Sequence, residues 1–224
     1  MTIQEYFKDW LKVIDKQSLD KIIPVLNHLY KTTDVTPKYE DIFKAFTLCS
    51  LKDLKIVFLG MDPYPQKGVA TGILFGNSLI TKNLSPSLEV IKEACINYSV
   101  PHLPIEFDIT LKSWAKQGIL MINSALTVEV GKVGSHTMLW RPFISKLLKN
   151  LSDYDTGIIY VLFGNQAQTF EPYINKQFSD IIKIQHPSYF ARVNQSMPHK
   201  LFVDIDTLIK GKYGEPIKWY NQLT

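Results

Sequence analysis

The sequence predicts an α/β fold: a central four-stranded parallel sheet flanked by helices on both faces. Three observations predict it. First, four short apolar runs occur along the chain: Lys55-Ile56-Val57-Phe58-Leu59-Gly60, Gly118-Ile119-Leu120-Met121-Ile122-Asn123, Gly157 to Gly164, and Asp180 to His186. Each is rich in Ile, Val, Leu or Phe and bounded by Gly, Asn or a turn containing Pro, the pattern of a strand buried on both faces. Second, the stretches between them carry apolar residues at helical spacing. Third, strand and helix signals alternate, which argues for parallel strands joined through covering helices.

The elements follow in order. Tyr6, Phe7, Trp10, Leu11 and Ile14, then Ile22, Ile23, Leu26 and Leu29, predict two N-terminal helices. Pro37 interrupts, and Ile42, Phe43 and Phe46 predict a short helix. Leu88, Val90, Ile91 and Ala94 predict a helix after the first strand. Phe143, Ile144, Leu147 and Leu148 predict another after the second. Leu201, Ile205, Leu208 and Ile209 predict one after the last. No repeat, linker or low-complexity tract divides the chain, so residues 1–224 are expected to form one domain.

Composition narrows the function classes. With 46% hydrophobic and 21% charged residues, a soluble globular protein is the expectation. The net charge of +4 permits a nucleic-acid partner without demanding one. Cys49 and Cys95 are too few for a disulfide framework or a metal-ligand set and read as small buried apolar residues. The mixed-charge N-terminus is no secretory signal, and no apolar run reaches membrane-spanning length. A cytoplasmic location is expected, or a nuclear one if the source has a nucleus.

In open parallel sheets, ligands bind beyond the carboxyl ends of the strands. Those ends here carry Asp62 and Tyr64, Asn123 and Ser124, Gly164 and Asn165, and His186, Pro187 and Ser188. A carboxylate, an amide, a flexible turn and an imidazole therefore converge on one crevice. Asp, Asn and Gly are ordinary turn residues, which explains any one position. It explains the joint set less well, the imidazole least of all. Pro63 and Pro65 stiffen the first turn and remove two backbone donors.

The segment Gly60-Met61-Asp62-Pro63-Tyr64, followed by Gly68, Gly72 and Phe75 without a gap, resembles the water-activating motif of the family 1 uracil-DNA glycosylases. Further likenesses run in the same order: Ser85-Pro86-Ser87-Leu88, Leu120 to Val128, Ser135-His136 with Trp140, Phe163 to Gln168, and His186-Pro187-Ser188. Together they span about Thr36 to Trp219.

The resemblance implies a monofunctional glycosylase acting on uracil in single- or double-stranded DNA, with no metal or organic cofactor. Such an enzyme must flip the nucleotide into a pocket. Phe75 would stack on the ring, an interaction of about 1–3 kcal/mol per base. Asn123 would read the uracil edge, Tyr64 would crowd C5 against thymine, and Met61 and Asp62 would donate backbone N–H groups. His186 would stabilise the negative charge developing on uracil, and Asp62 would stabilise the sugar cation and orient water. Ser87, Gly164, Asn165 and Ser188 would hold backbone phosphates. The resemblance also implies a monomer and a surface that a protein inhibitor of such enzymes could occupy.

Two positions depart from the family. Pro65 replaces a phosphate-contacting histidine, as in poxviral relatives, and predicts altered DNA affinity. Phe190 takes the place of the Leu that fills the gap left by the flipped base. An aromatic wedge is physically reasonable there; the alternative is that Phe190 packs into the protein and Arg192 makes the DNA contact. A second function class follows from the poxviral likeness: a DNA-binding or replication accessory module on the same scaffold. A nucleotide-binding α/β enzyme fits poorly, because the first strand lacks a Gly-rich phosphate fingerprint.

Overall fold

The computed structural model describes residues 3–99, 103–154 and 157–223. The expected sheet is present. Its strands, numbered in chain order, are β1 (Ile56–Gly60), β2 (Ile119–Asn123), β3 (Ile159–Phe163) and β4 (Asp180–Ile184). They pair in the order β2-β1-β3-β4, all parallel. The register places Gly60 beside Asn123 and Phe163 beside Ile184, so the functional turns leave the sheet side by side.

β1, β2 and β3 are buried throughout because both of their faces carry core. Val57, Leu59, Leu120, Ile122, Tyr160 and Leu162 point to one core. It is closed by α1 (Lys16–Thr32), through Leu19, Ile22 and Leu26, and by α3 (Thr137–Tyr154), through Trp140, Phe143, Ile144 and Leu147. Ile56, Phe58, Ile119, Met121, Ile159, Val161 and Phe163 point to the other. That side is closed by α2 (Pro86–Tyr98) and α6 (Lys200–Tyr213), with Trp114 and Trp219 between them. The period-2 alternation of a strand thus divides each apolar run between two cores.

Two elements differ from expectation. β4 is only half-buried, because it is the sheet edge and pairs with β3 alone. Its Asp180 and Lys183 form ion pairs with Lys212 and Glu171, as suits a solvated edge. Near the N-terminus the first helix is broken: Ile3–Phe7 is α-helical and Lys8–Lys12 is a 3-10 turn. Two short helices complete the frame of the site: α4 (Gly164–Gln168), directly after β3, and α5 (Pro187–Arg192), after β4.

Candidate active site

A cleft of about 540 Å³ lies at the carboxyl edge of the sheet. That is within the range of roughly 300–1,000 Å³ common for small-molecule sites. Met61, Asp62, Tyr64, Phe75, Ser87, Asn123, Gly164, Asn165, His186 and Ser188 all line it. The structure brings every predicted site residue to this cleft except Phe190 and Arg192.

Asn123 ends β2 and is only 8% exposed. Its side-chain Oδ1 is buried and finds no hydrogen-bond partner among the described residues. An orphaned buried acceptor costs about 1–3 kcal/mol, so it is a group held ready for a donor. The neighbouring turn is tied firmly to β1: Ser124 N–H donates to Gly60 O at 3.0 Å, and Ala125 N–H and Ser124 Oγ donate to Met61 O at 2.9 and 2.8 Å.

Phe75 forms one wall. Its φ of 62° lies in the left-handed region, a strained position for a bulky residue. Tyr64 hydroxyl holds it there by donating to Phe75 O at 3.1 Å. The Phe75 ring packs edge-on against Phe163 and His186, with centroids 5.1 and 5.5 Å apart.

His186 caps α5. Its Nδ1 accepts the Ser188 backbone N–H at 3.2 Å and lies 2.8 Å from Ser188 Oγ. An Nδ1 that accepts a backbone N–H places the ring proton on Nε2, making that nitrogen a donor. Burial pulls the imidazole pKa down to about 4, so the ring is neutral at physiological pH. Gly164 stands at φ 82°, and a Cβ there would lie 2.8 Å from His186 Cβ. Glycine is required for β3 and β4 to bring this turn and the imidazole together.

Burial raises the Asp62 pKa, while N–H donation from Gly134 and from its own backbone opposes that rise. The Gly134 N–H reaches Asp62 Oδ2 at 2.6 Å. Gly134 carries no side chain to mark it, so it escaped the sequence reading. The neighbouring pair Ser135-His136 was the only signal. Val133, Leu126 and Gln166 also line the cleft without having been predicted.

Phe190 corrects an expectation. It is 9% exposed and packs in the α2–α6 core, so it is not poised to enter DNA. The reason is helical register. Pro187 and Phe190, three residues apart, share the buried face of α5, and burying an aromatic side chain stabilises by about 1.5–3 kcal/mol. Tyr189 is on the open side, 38% exposed, with the exposed Arg192 guanidinium 5.9 Å from its ring centroid. Ser188 is also more committed than expected, since its N–H and hydroxyl both serve His186.

Among the described residues, no three His, Cys, Asp or Glu side chains gather as a metal-ligand set. No described helix is long and apolar enough to cross a membrane.

Fold and site define an α/β protein with a small-molecule-sized cleft at the carboxyl edge of a parallel sheet. The cleft presents a carboxylate, an unpartnered amide acceptor and a neutral imidazole donor. The profile of the Uracil DNA glycosylase superfamily matches residues 46–207, and the chain belongs to that superfamily. It is 32% identical over 215 residues to the uracil-DNA glycosylase of Aliarcobacter butzleri, covering 94% of this chain and 99% of the relative. It is 33% identical over 219 residues to that of Mycoplasmopsis pulmonis, covering 96% and 91%. Among solved structures, a mimivirus UNG variant in complex with UGI superposes with a TM-score of 0.83 at 24% identity, over 98% of this chain and 91% of that one. At that identity the likeness speaks for the fold.

Proposed function

We propose that the chain is a monofunctional uracil-DNA glycosylase. It hydrolyses the N-glycosidic bond of a flipped-out deoxyuridine, releasing uracil and leaving an abasic site in single- or double-stranded DNA. The observation that carries this reading is the buried, unpartnered Oδ1 of Asn123 beside a neutral imidazole donor in one cleft. Uracil offers the matching edge: a ring N–H for the Asn123 oxygen and carbonyl oxygens for the donors. Cytosine has no N–H at that ring position and cannot satisfy the same acceptor.

Phe75 stacks on the ring, and Tyr64 closes the space that a thymine methyl group would need. When the bond breaks, its electron pair passes to the uracil ring. His186 Nε2–H, with the Met61 and Asp62 backbone N–H groups, stabilises the charge that collects on the carbonyl oxygen. A neutral imidazole suits this task, since it donates without having to lose a charge-stabilising proton at working pH. Asp62 faces the cationic sugar and orients the water whose oxygen bonds to the anomeric carbon; the proton that water loses passes to Asp62 and on to solvent, and the uracil anion takes one up from solvent.

Ser87, Gly164 and Asn165 border the strand and hold its phosphates through hydroxyl and backbone N–H groups, while Ser188, committed to His186, orients the imidazole. Tyr189 replaces Phe190 as the side chain available to fill the vacated stack, with Arg192 beside it. The protein works as one domain and a monomer, in the cytoplasm or nucleus. Its cleft is also the surface that a protein inhibitor would cover. The presence of both Asp62 and His186 in one cleft favours catalysis over a purely accessory role.

The test is a uracil-containing oligonucleotide incubated with pure protein and then treated with alkali. Strand scission is expected with the wild type and not with Asp62→Asn. An uncut strand, with a standard glycosylase working alongside, would sink the proposal.

A further inference from the structure

The motif Ser135-His136 with Trp140 has no part in the chemistry above, yet it holds the turn that reaches Asp62. That turn, residues 129–137, is closed on itself. Lys132 N–H donates to Glu129 O at 2.9 Å, Ser135 N–H to Lys132 O at 3.1 Å, Thr137 N–H to Gly134 O at 3.1 Å, and Glu129 N–H to Ser135 Oγ at 2.9 Å. Two further bonds tie it outward, from Val130 N–H to Asp34 O at 2.8 Å and from Gly131 N–H to Pro65 O at 3.0 Å. Pro65, two residues past Pro63, therefore serves the turn through its carbonyl.

Beneath the turn lies a buried polar chain. Trp140 Nε1 donates to Thr127 Oγ1 at 2.8 Å, and Thr127 Oγ1 lies 2.9 Å from His136 Nδ1. The indole N–H can only donate, so the Thr127 hydroxyl accepts it, and the imidazole tautomer sets which of Thr127 Oγ1 and His136 Nδ1 donates in the second bond. All three side chains are buried. Each bond satisfies a group that would otherwise be stranded in the core, and together they lock the turn to α3 and to the segment after β2.

We propose that this Trp140–Thr127–His136 chain is a positioning device for the catalytic carboxylate. It holds the Gly134 N–H on Asp62 Oδ2 and leaves the other oxygen to bind the water. The inference rests on the reading of Asp62 as the water-orienting group. Gly134 stands at φ 78°, where glycine adopts the required conformation without strain. An amide aimed at one oxygen both favours the ionised form and fixes the carboxylate plane. The charged groups nearby do not compete for this role. Glu129 and Lys132 pair with each other at 2.6 Å, Tyr64 and the neutral His186 share the cleft, and among the described residues no charged side chain bears on the Asp62 carboxyl.

The experiment follows the Asp62 carboxyl carbon by NMR titration, together with the pH dependence of uracil release, in the full chain. The variants are Thr127→Val, which keeps side-chain shape, and Gly134→Ala. An alanine Cβ at position 134 would sit 3.6 Å from Met61 Cε and 3.7 Å from Thr137 Oγ1, so it fits in space while straining the backbone. In both variants the Asp62 midpoint and the acid limb of kcat should rise by about half a pH unit or more, as loss of a charge-assisted bond requires. At high pH, kcat should fall about tenfold with KM little changed, the signature of a lost transition-state interaction. His136→Asn, whose amide can donate or accept near the Nδ1 position, should retain more of the wild-type profile than His136→Ala. An Asp62 midpoint that stays put in folded Thr127→Val and Gly134→Ala would overturn the proposal. Undiminished activity in Asp62→Asn would instead overturn the catalytic reading, because the titration reads the positioning device without any turnover.

Discussion

The floor of the cleft and the helix at its rim are held in opposite ways. On the floor, Asn123 ends a fully buried strand, Phe75 is fixed in a strained backbone conformation, and His186 is locked in one tautomer by Ser188. At the rim, the short helix α5 keeps Phe190 in the core while Tyr189 and Arg192 stay in solvent. The contrast separates two tasks. Reading a base and stabilising its developing charge need groups fixed before the substrate arrives. Gripping a bendable strand needs side chains that can move onto it.

Substitutions can break this contrast, and the largest effects belong on the floor. Asp62→Asn should lower kcat by about a thousandfold and His186→Ala by about a hundredfold, in line with lost acid–base and electrostatic stabilisation. Single-turnover uracil release measures both, and a loss confined to KM would move these residues from chemistry to binding. Next come the specificity positions. Asn123→Asp should relax discrimination against cytosine, and Tyr64→Ala should admit thymine. Release from matched uracil, cytosine and thymine substrates would reveal each, and unchanged selectivity would count against the pocket assignment.

The rim yields a paired prediction. Phe190→Ala should destabilise the fold by about 3 kcal/mol, the low end for deleting a core phenylalanine, as read by denaturant unfolding. Tyr189→Ala should leave stability within about 0.5 kcal/mol, as expected for an exposed site. It should instead weaken turnover on duplex DNA, with little change on single strands. If the two variants exchange phenotypes, the assignment of α5 is reversed.

The smallest effect is in the pH profile. In the proposed role Asp62 acts as the ionised carboxylate, and its pKa is raised by burial, so activity should climb with pH through a single acid limb above the ordinary carboxylate value. His186 is neutral above about pH 4 and should add no limb near neutrality. A second limb at about 6.5, the ordinary histidine value, would mean that the imidazole is solvated rather than buried.

Much of the floor was legible in the sequence because strand ends carry side chains with distinct chemistry. Asp62, Asn123 and His186 close apolar runs, and a parallel sheet delivers such ends to one edge. The rim was less legible. Placing Phe190 required knowing the register of a six-residue helix against α2, which the local sequence does not encode. The half-buried state of β4 follows from its place at the sheet edge, a property of strand order and not of its Ile-rich composition. Gly134 was hidden for a third reason: its contribution is a backbone N–H, a group shared by every residue except proline.

The most direct test is a crystal structure of the protein with abasic-site DNA and uracil. It should place uracil against Phe75, with its ring N–H on Asn123 Oδ1, a carbonyl oxygen at His186 Nε2, and Tyr189 in the gap of the duplex. Uracil bound away from Asn123, or an empty cleft with the DNA seated on another face, would contradict the account.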